Sequence, residues 1–375
     1  MSVDTRVSGP GAGGPGSGSG APDPALEGVA APDLADRADT VRRARHHARR
    51  RTHLVVAGLI VAWLLAMVVR TLLGDYTITV PDFFRIVLGT GDVSGGAEFI
   101  LMDSKLPRAV VGTLAGLALG SSGATFQLMA RNPLASPDVL GLTMGASAAA
   151  VFTLVALDGS GPAVTLAALV GAGLVAVALL TLSGSNPGAG PTRMILVGIA
   201  LSAMLTSVVH WILLRADVYR AHEAMVWLTG SLASVTWRQI SLLLVVVALA
   251  LPLLLGAARE LHLVELGDDL AAGVGAPPRA VRARALLLVV LLVAATTSVC
   301  GPISFVAFLS GPIARRLLGG RASIGTAALV GAVIVVLADF AGAYALPDVN
   351  LPVGVVTGLI GAPFLLWLLT RERSA

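Results

Sequence analysis

Groups able to do chemistry are few in this chain, and they are scattered. Of 26 basic residues only Lys105 is a lysine, and it follows Asp103-Ser104 rather than a run of glycines. A phosphate-cradling loop needs glycines ahead of its lysine, so no such loop is encoded. There is no His-Glu-x-x-His pair for zinc. The one cysteine, Cys300, allows neither an intrachain disulfide nor a cysteine-based zinc site. No metal and no cofactor is expected, and any nucleotide hydrolysis has to come from another chain. Asp339 stands inside an apolar run, where a carboxylate faces a cavity, finds a partner or takes up a proton. No basic residue lies in its own run past Arg321, so a cation for it has to come from elsewhere in the fold. A helix-packing role and a role along a transport path both stay open for it. His210, near the end of another apolar run, reads either as a substrate contact or as a side chain meeting interfacial water.

Two polar stretches carry more information. Arg131-Asn132-Pro133-Leu134-Ala135-Ser136-Pro137 brackets a tight connection with two prolines, and Asn132 is suited to closing a turn. The plain reading is a structural corner. The second stretch, residues 259–282, places Leu261, Val264, Leu266, Leu270 and Val274 at roughly helical spacing, with charges between them and breaks at Gly267, Gly273 and Gly275. It predicts two short amphipathic helices joined at Gly267, with Asp268 near the second N-terminus, where a negative charge is favoured. An interfacial helix on lipid is one reading. Glu260, Glu265, Asp268 and Asp269 would meet anionic head groups poorly, which favours a protein-docking surface.

The elements that carry these residues need a membrane. Charged residues make up 13% of the chain and apolar ones 55%, against about 25% charged in soluble domains. Ten apolar runs predict ten spans: 54–73, 107–130, 138–157, 162–182, 192–214, 239–258, 282–299, 303–318, 322–343 and 353–370. The fold class is therefore an all-α polytopic membrane bundle. The eighth run is short and broken by Gly311 and Pro312, and reads as a partial or re-entrant element. Gly112, Gly116, Gly120 and Gly123 in the second run, and Gly141, Gly145 and Ala149 in the third, are spaced for close helix contact.

Residues 1–53 predict a disordered cytoplasmic tail, with the arginines at 42, 43, 45, 49, 50 and 51 beside the first span. That cluster reads as a topology determinant or a regulatory tail. Fifty polar residues ahead of a full-length apolar run do not read as a secretory signal. With the N-terminus inside, 19 of the 26 basic residues fall on the cytoplasmic side and the C-terminus returns there. The net charge of +4 is thus explained by membrane orientation, and no nucleic-acid partner is expected.

Several runs of sequence together resemble the FecCD-type permeases. These are Leu106-Pro107-Arg108, the glycines of the second span with Gln127, Arg131 to Pro137, and Leu140-Gly141. Trp227-Leu228-Thr229-Gly230-Ser231-Leu232, Leu266-Gly267-Asp268-Asp269-Leu270-Ala271 and Gly273-Val274-Gly275 follow. Gly301-Pro302-Ile303-Ser304-Phe305-Val306, Ile313-Ala314-Arg315, Leu351-Pro352-Val353-Gly354 and Gly361-Ala362-Pro363-Phe364 complete the set, over about residues 54–372.

The resemblance implies the ten-helix membrane subunit of a type II ABC importer for ferric siderophores, with cobalamin or haem as alternative cargo. It also implies four kinds of partner: a second permease subunit, two ATPase subunits on coupling helices at 259–282, an extracytoplasmic lipoprotein that delivers substrate, and membrane lipid. By topology, Arg85, Arg215, Arg220 and Arg238 are candidates for docking the binding protein. Two departures stand out. Gly311-Pro312-Ile313-Ala314-Arg315 replaces the family's Pro-His-Ile-Ala-Arg, and Ala343 stands where an arginine often follows Asp339. Both are similar to systems with two different permease chains, so a paralogue heterodimer is favoured over a homodimer. The rival energy class is an ion-coupled secondary transporter, for which Asp339 is nearly the only ion carrier. An intramembrane enzyme is disfavoured by the absence of paired catalytic groups.

Overall fold

The computed structural model describes residues 31–90, 95–183, 190–347 and 349–372. The helices are α1 (Ala31–Leu72), α2 (Val80–Leu88), α3 (Gly95–Phe99), α4 (Leu106–Ala130), α5 (Leu142–Ala156), α6 (Pro162–Ser183) and α7 (Gly190–Arg215). There follow α8 (Val218–Leu228), α9 (Trp237–Leu266), α10 (Asp268–Gly273), α11 (Pro278–Cys300), α12 (Val306–Leu317), α13 (Ile324–Tyr344) and α14 (Val353–Glu372). A π-helical turn joins α3 to α4, and a 3-10 turn, Pro137–Leu140, precedes α5. Among the described residues seven helices are long and apolar enough to cross a membrane. Two more, Leu142–Ala156 and Val353–Trp367, are apolar but shorter. With α12 these account for the ten expected spans. At about 1.5 Å per residue, the twelve residues of α12 are too short to cross a bilayer core of about 30 Å.

The tail departs from expectation. Two compact units are distinguished, Met1–Arg50 and Arg51–Ala375. Residues 31–50 are helical rather than disordered, while residues 1–30 lie outside the described residues. Alanine, arginine and leucine are strong helix formers, and a helix once nucleated propagates at little further cost. In the second unit Arg51 reaches the end of α12. Its Nε donates to the Leu317 carbonyl at 2.9 Å, capping the C-terminus of α12.

In the second unit α4 is the hub. Of its apolar window 83% is buried, against 6% for α1. The glycines of α4 are what permit this. A Cβ on Gly116 would strike the backbone of Gly331 and Ala332 on α13, one on Gly120 would strike Ala327, and one on Gly123 would strike Ala307 of α12. Gly145 on α5 and Gly171 on α6 meet in the same way. In lipid the contact of bare backbones replaces the hydrophobic drive that water supplies to soluble cores.

Candidate functional site

The two polar stretches singled out in the sequence meet in space. Arg131 closes α4 in the left-handed conformation (φ 50°). From there its guanidinium donates to the Val264 carbonyl at the end of α9 (3.2 and 2.7 Å) and to Asp268 Oδ1 at 2.5 Å. Arg282 on α11 grips the same carboxylate with both Nη atoms, at 2.8 and 2.7 Å. Asp268 thus opens α10 and ties it to α4 and α11. Two further pairs, Arg284 with Glu260 (2.7 Å) and Arg315 with Glu265 (3.5 Å), anchor α9 to α11 and α12. The Arg282 hydrogen bonds hold the Asp268 carboxyl below its ordinary value of 3.8; they outweigh the upward effect of desolvation, and the charges of Arg282 and Arg131 add smaller lowering effects.

The elbow differs from the expected pair of short helices in one respect: the first of them is the unbroken continuation of α9, which runs to Leu266. Gly267 (φ 142°) and Gly275 (φ 84°) bracket α10 with open space around them, so their glycines serve backbone conformation rather than packing. The apolar series splits in two. Leu261, Val264 and Ala271 are fully buried, while Leu266, Leu270 and Val274 are 70%, 65% and 66% exposed. Asp269 lies exposed on α10 beside that stripe. The result is a charge-braced bend presenting an apolar stripe with no partner among the described residues.

The 131–137 corner closes as its residue types suggest. Asn132 Oδ1 accepts from the Leu134 N–H at 2.8 Å, Pro133 is half-buried, and Pro137 is buried where it starts the 3-10 turn. Gln127 solves a different problem. Pro312 inside α12 has no N–H for the Phe308 carbonyl four residues back. Gln127 Nε2, reaching from α4, donates to that carbonyl at 3.1 Å, and Gly311 leaves the room for it.

The remaining sequence signatures converge on a second place, a junction of three non-helical segments. The Ser231 N–H donates to the Cys300 carbonyl (2.9 Å) and the Gly354 N–H to the Gly230 carbonyl (3.2 Å). A Cβ on Gly230 would strike the Pro302 carbonyl, one on Gly354 the Thr229 carbonyl, and one on Gly361 the Phe305 ring. Pro352, just ahead of α14, accepts from the Val355 N–H at 3.0 Å. Phe305, the residue that starts α12, is held at φ 66°, a strained value for an aromatic residue.

Asp339 finds its cation on another helix, as its own run required. Arg70 on α1, 1% exposed, donates from Nε to Asp339 Oδ2 at 2.5 Å, pinning α13 to α1. Arg108 is half-buried nearby, within the fields of Asp339 and Arg70. Lys105 is buried and donates to the Leu73 and Tyr76 carbonyls.

The four arginines considered for docking lie on four different helices. Arg85 is exposed on α2 and pairs with Asp82 at 3.4 Å. Arg215 lies 4.5 Å above the Trp211 ring. Arg220 is already neutralised by Asp158 at 2.7 Å. Arg238 is exposed in the first turn of α9.

The long-range pairs were hidden in the sequence because Arg131 and Asp268 are 137 residues apart, and Arg70 and Asp339 are 269 apart. A signal did exist for Gln127. It is an amide in an apolar helix, and a proline inside another helix leaves a carbonyl wanting a donor.

The model of the FecCD transport family matches residues 58–371. The ferric enterobactin permease protein FepG of Escherichia coli is 35% identical over 80% of this chain and 90% of its own length. The Fe(3+) dicitrate permease protein FecD of the same organism is 35% identical over 84% and 99%. YfmE of Bacillus subtilis, an Fe(3+)-citrate import permease protein, is 34% identical over 73% and 83%. Among solved structures, a metal-chelate type ABC transporter in an inward-facing conformation superposes with a TM-score of 0.75. It is 23% identical and covers 85% of this chain and 99% of that one, which supports the fold. A glycine-notched helical bundle, a charge-braced elbow and signatures that meet at one junction therefore have a common explanation: the chain belongs to the FecCD transport family.

Proposed function

We propose that this chain is the membrane-spanning permease of an ATP-driven importer of iron chelates, with ferric siderophores as the cargo. The observation that carries the reading is the elbow. A chain whose sequence encodes no phosphate-cradling loop presents Leu266, Leu270 and Val274 on a bend braced to α4, α11 and α12, which suits docking of an ATPase subunit. Closure of two ATPase subunits on ATP then pushes α10, and Asp268 passes the push through Arg131 to the central helix and through Arg282 to α11. The bundle rocks between outward-open and inward-open states. The tail and both termini lie in the cytoplasm, the membrane is the cell membrane, and an extracytoplasmic lipoprotein delivers the chelate to the opposite face, where Arg85, Arg215 and Arg238 are available to guide it.

The second permease subunit is a paralogue. Two relatives of Bacillus subtilis, YfmE and YfmD, are each named as an Fe(3+)-citrate import system permease protein, which supports pairing of unlike chains. The test is co-purification of the chain with its ATPase. Leu270→Asp should leave the chain in the membrane and lose the ATPase, and Gly267→Pro or charge reversal at Asp268 and Asp269 should abolish ferric chelate uptake. Full uptake in all three variants would refute the docking assignment.

A further inference from the structure

The helical segment at and ahead of the start of the first span takes part in neither the elbow nor the glycine junction. Its charge is sorted along the helix. Residues 31–40 hold Asp33, Asp36 and Asp39 with one arginine, whereas residues 41–51 hold six arginines and no acid. Asp36 and Arg49 lie about 20 Å apart along the helix at about 1.5 Å per residue, against a Debye length of about 8 Å at physiological salt. The acidic turns therefore do not cancel the field of the basic ones. Arg42, Arg43, Arg49 and Arg50 are exposed. Arg42 meets Asp39 at 3.7 Å with both side chains largely in solvent. Among the described residues Arg43, Arg49 and Arg50 form no ion pair. Arg51 is already committed to the Leu317 carbonyl.

The cluster also has a fixed address. The first candidate span runs from His46 to Leu72, so the arginines stand at its start and just ahead of it. A free guanidinium is a planar fork of donors that matches the oxygens of a phosphate two at a time. Head-group phosphate is the partner this position offers, and anionic lipid attracts several arginines placed next to a span. The aspartates at 33, 36 and 39 are repelled by the same surface, so the attraction is confined to the basic turns. Orientation of the chain needs only an excess of positive charge during insertion, whereas attraction to the leaflet persists in the mature protein. The region matched by the FecCD family begins at residue 58, so the cluster lies outside the shared permease.

We propose that Arg42, Arg43, Arg45, Arg49 and Arg50 form a binding site for anionic phospholipid of the cytoplasmic leaflet, which holds the basic turns against the bilayer. Of the importer reading the site needs only cytoplasmic placement of the tail. Its test makes no use of transport, so lipid binding and uptake fail independently.

The exposed His46 is replaced as His46→Cys and labelled with a fluorophore in the full chain, assembled with partner subunits that lack reactive cysteines, while Cys300 stays buried. The complex is placed in vesicles of phosphatidylcholine, or of phosphatidylcholine with a third phosphatidylglycerol, each carrying a lipid with a nitroxide on its head group. Quenching should be strong with phosphatidylglycerol and weak without it. Raising salt from about 0.1 M to about 1 M shortens the Debye length from about 10 Å to about 3 Å, and should bring the two vesicles together. Arg43→Gln or Arg49→Gln should each lower the ratio of engaged to free tail about fivefold, the equivalent of about 1 kcal/mol per arginine. Each single variant keeps five arginines in the cluster to orient the chain, and the salt series decides the matter should either variant not insert. Equal quenching in the two vesicles, quenching that salt does not move, or quenching unchanged by both substitutions would overturn the proposal. Quenching set by the presence of the ATPase subunits rather than by phosphatidylglycerol would assign the cluster to a protein partner and overturn it equally.

Discussion

At the elbow, Asp268 is gripped by two arginines yet half exposed, and the helix it opens is only six residues long. At Gly230 and Gly354 of the glycine junction, and at Gly116, Gly120 and Gly123 of α4, backbones touch with no side chain between them. One region is held by long-armed charges in contact with water, the other by close-packed main chain. Charged arms can shift and re-form at small cost, because exposed ion pairs are each worth about 0–1 kcal/mol. Packed backbones cannot, since interiors respond to a single added methyl group. The elbow is therefore built to move as a hinge that stays tied, and the α4 core is built to move as a rigid body.

This contrast is most easily broken at the core. Gly123→Leu should destabilise the bundle by about 3 kcal/mol or more, as overpacking against backbone does, and be seen as loss of the chain from the membrane fraction. A well-folded Gly123→Leu protein would mean that α4 and α12 are not rigidly joined. Gln127→Leu should be milder, at about 1–3 kcal/mol for the Phe308 carbonyl left without its donor. A lowered thermal aggregation midpoint in detergent would show it, and no change would mean that the α12 break is satisfied otherwise. Asp268→Ala should leave that midpoint nearly unmoved while uptake falls roughly tenfold, within the range of ordinary coupling energies. Equal losses of stability and uptake would make the elbow a structural strut.

The smallest effect is with pH. Because the Asp268 carboxyl is depressed in the folded protein, its tie is fully present above the unfolded value of about 3.9 and is lost as pH falls through the lower folded value. Hydrogen exchange of the α10 amides, corrected for intrinsic rate, should be unchanged from about pH 8 to about pH 5. Loosening within that window would contradict the assignment of the tie to Asp268.

What could be read in the sequence follows the same division. Apolar runs locate spans because lipid imposes a length, and the notches of α4 were visible because glycine at this spacing has few other uses in a membrane helix. The elbow's bend was visible in Gly267, Gly275 and the acids between helical turns. Its brace was not, because nothing local to Asp268 shows that Arg131 will arrive from α4, just as nothing near Asp339 names Arg70. The helix over 31–50 was hidden for a related reason: its polarity suggested that it could bury nothing, while its alanines, arginines and leucine favour helix whether or not anything is buried.

The central claim is that this bundle moves cargo only when force enters through its elbow. It is tested most directly by reconstituting the chain with its second permease subunit in vesicles, with and without the ATPase subunits, and following ferric chelate accumulation on addition of ATP. The account requires accumulation against a gradient only when the ATPase is present, and its loss when Leu270→Asp replaces the native chain. Uphill accumulation by the permease chains alone would contradict it.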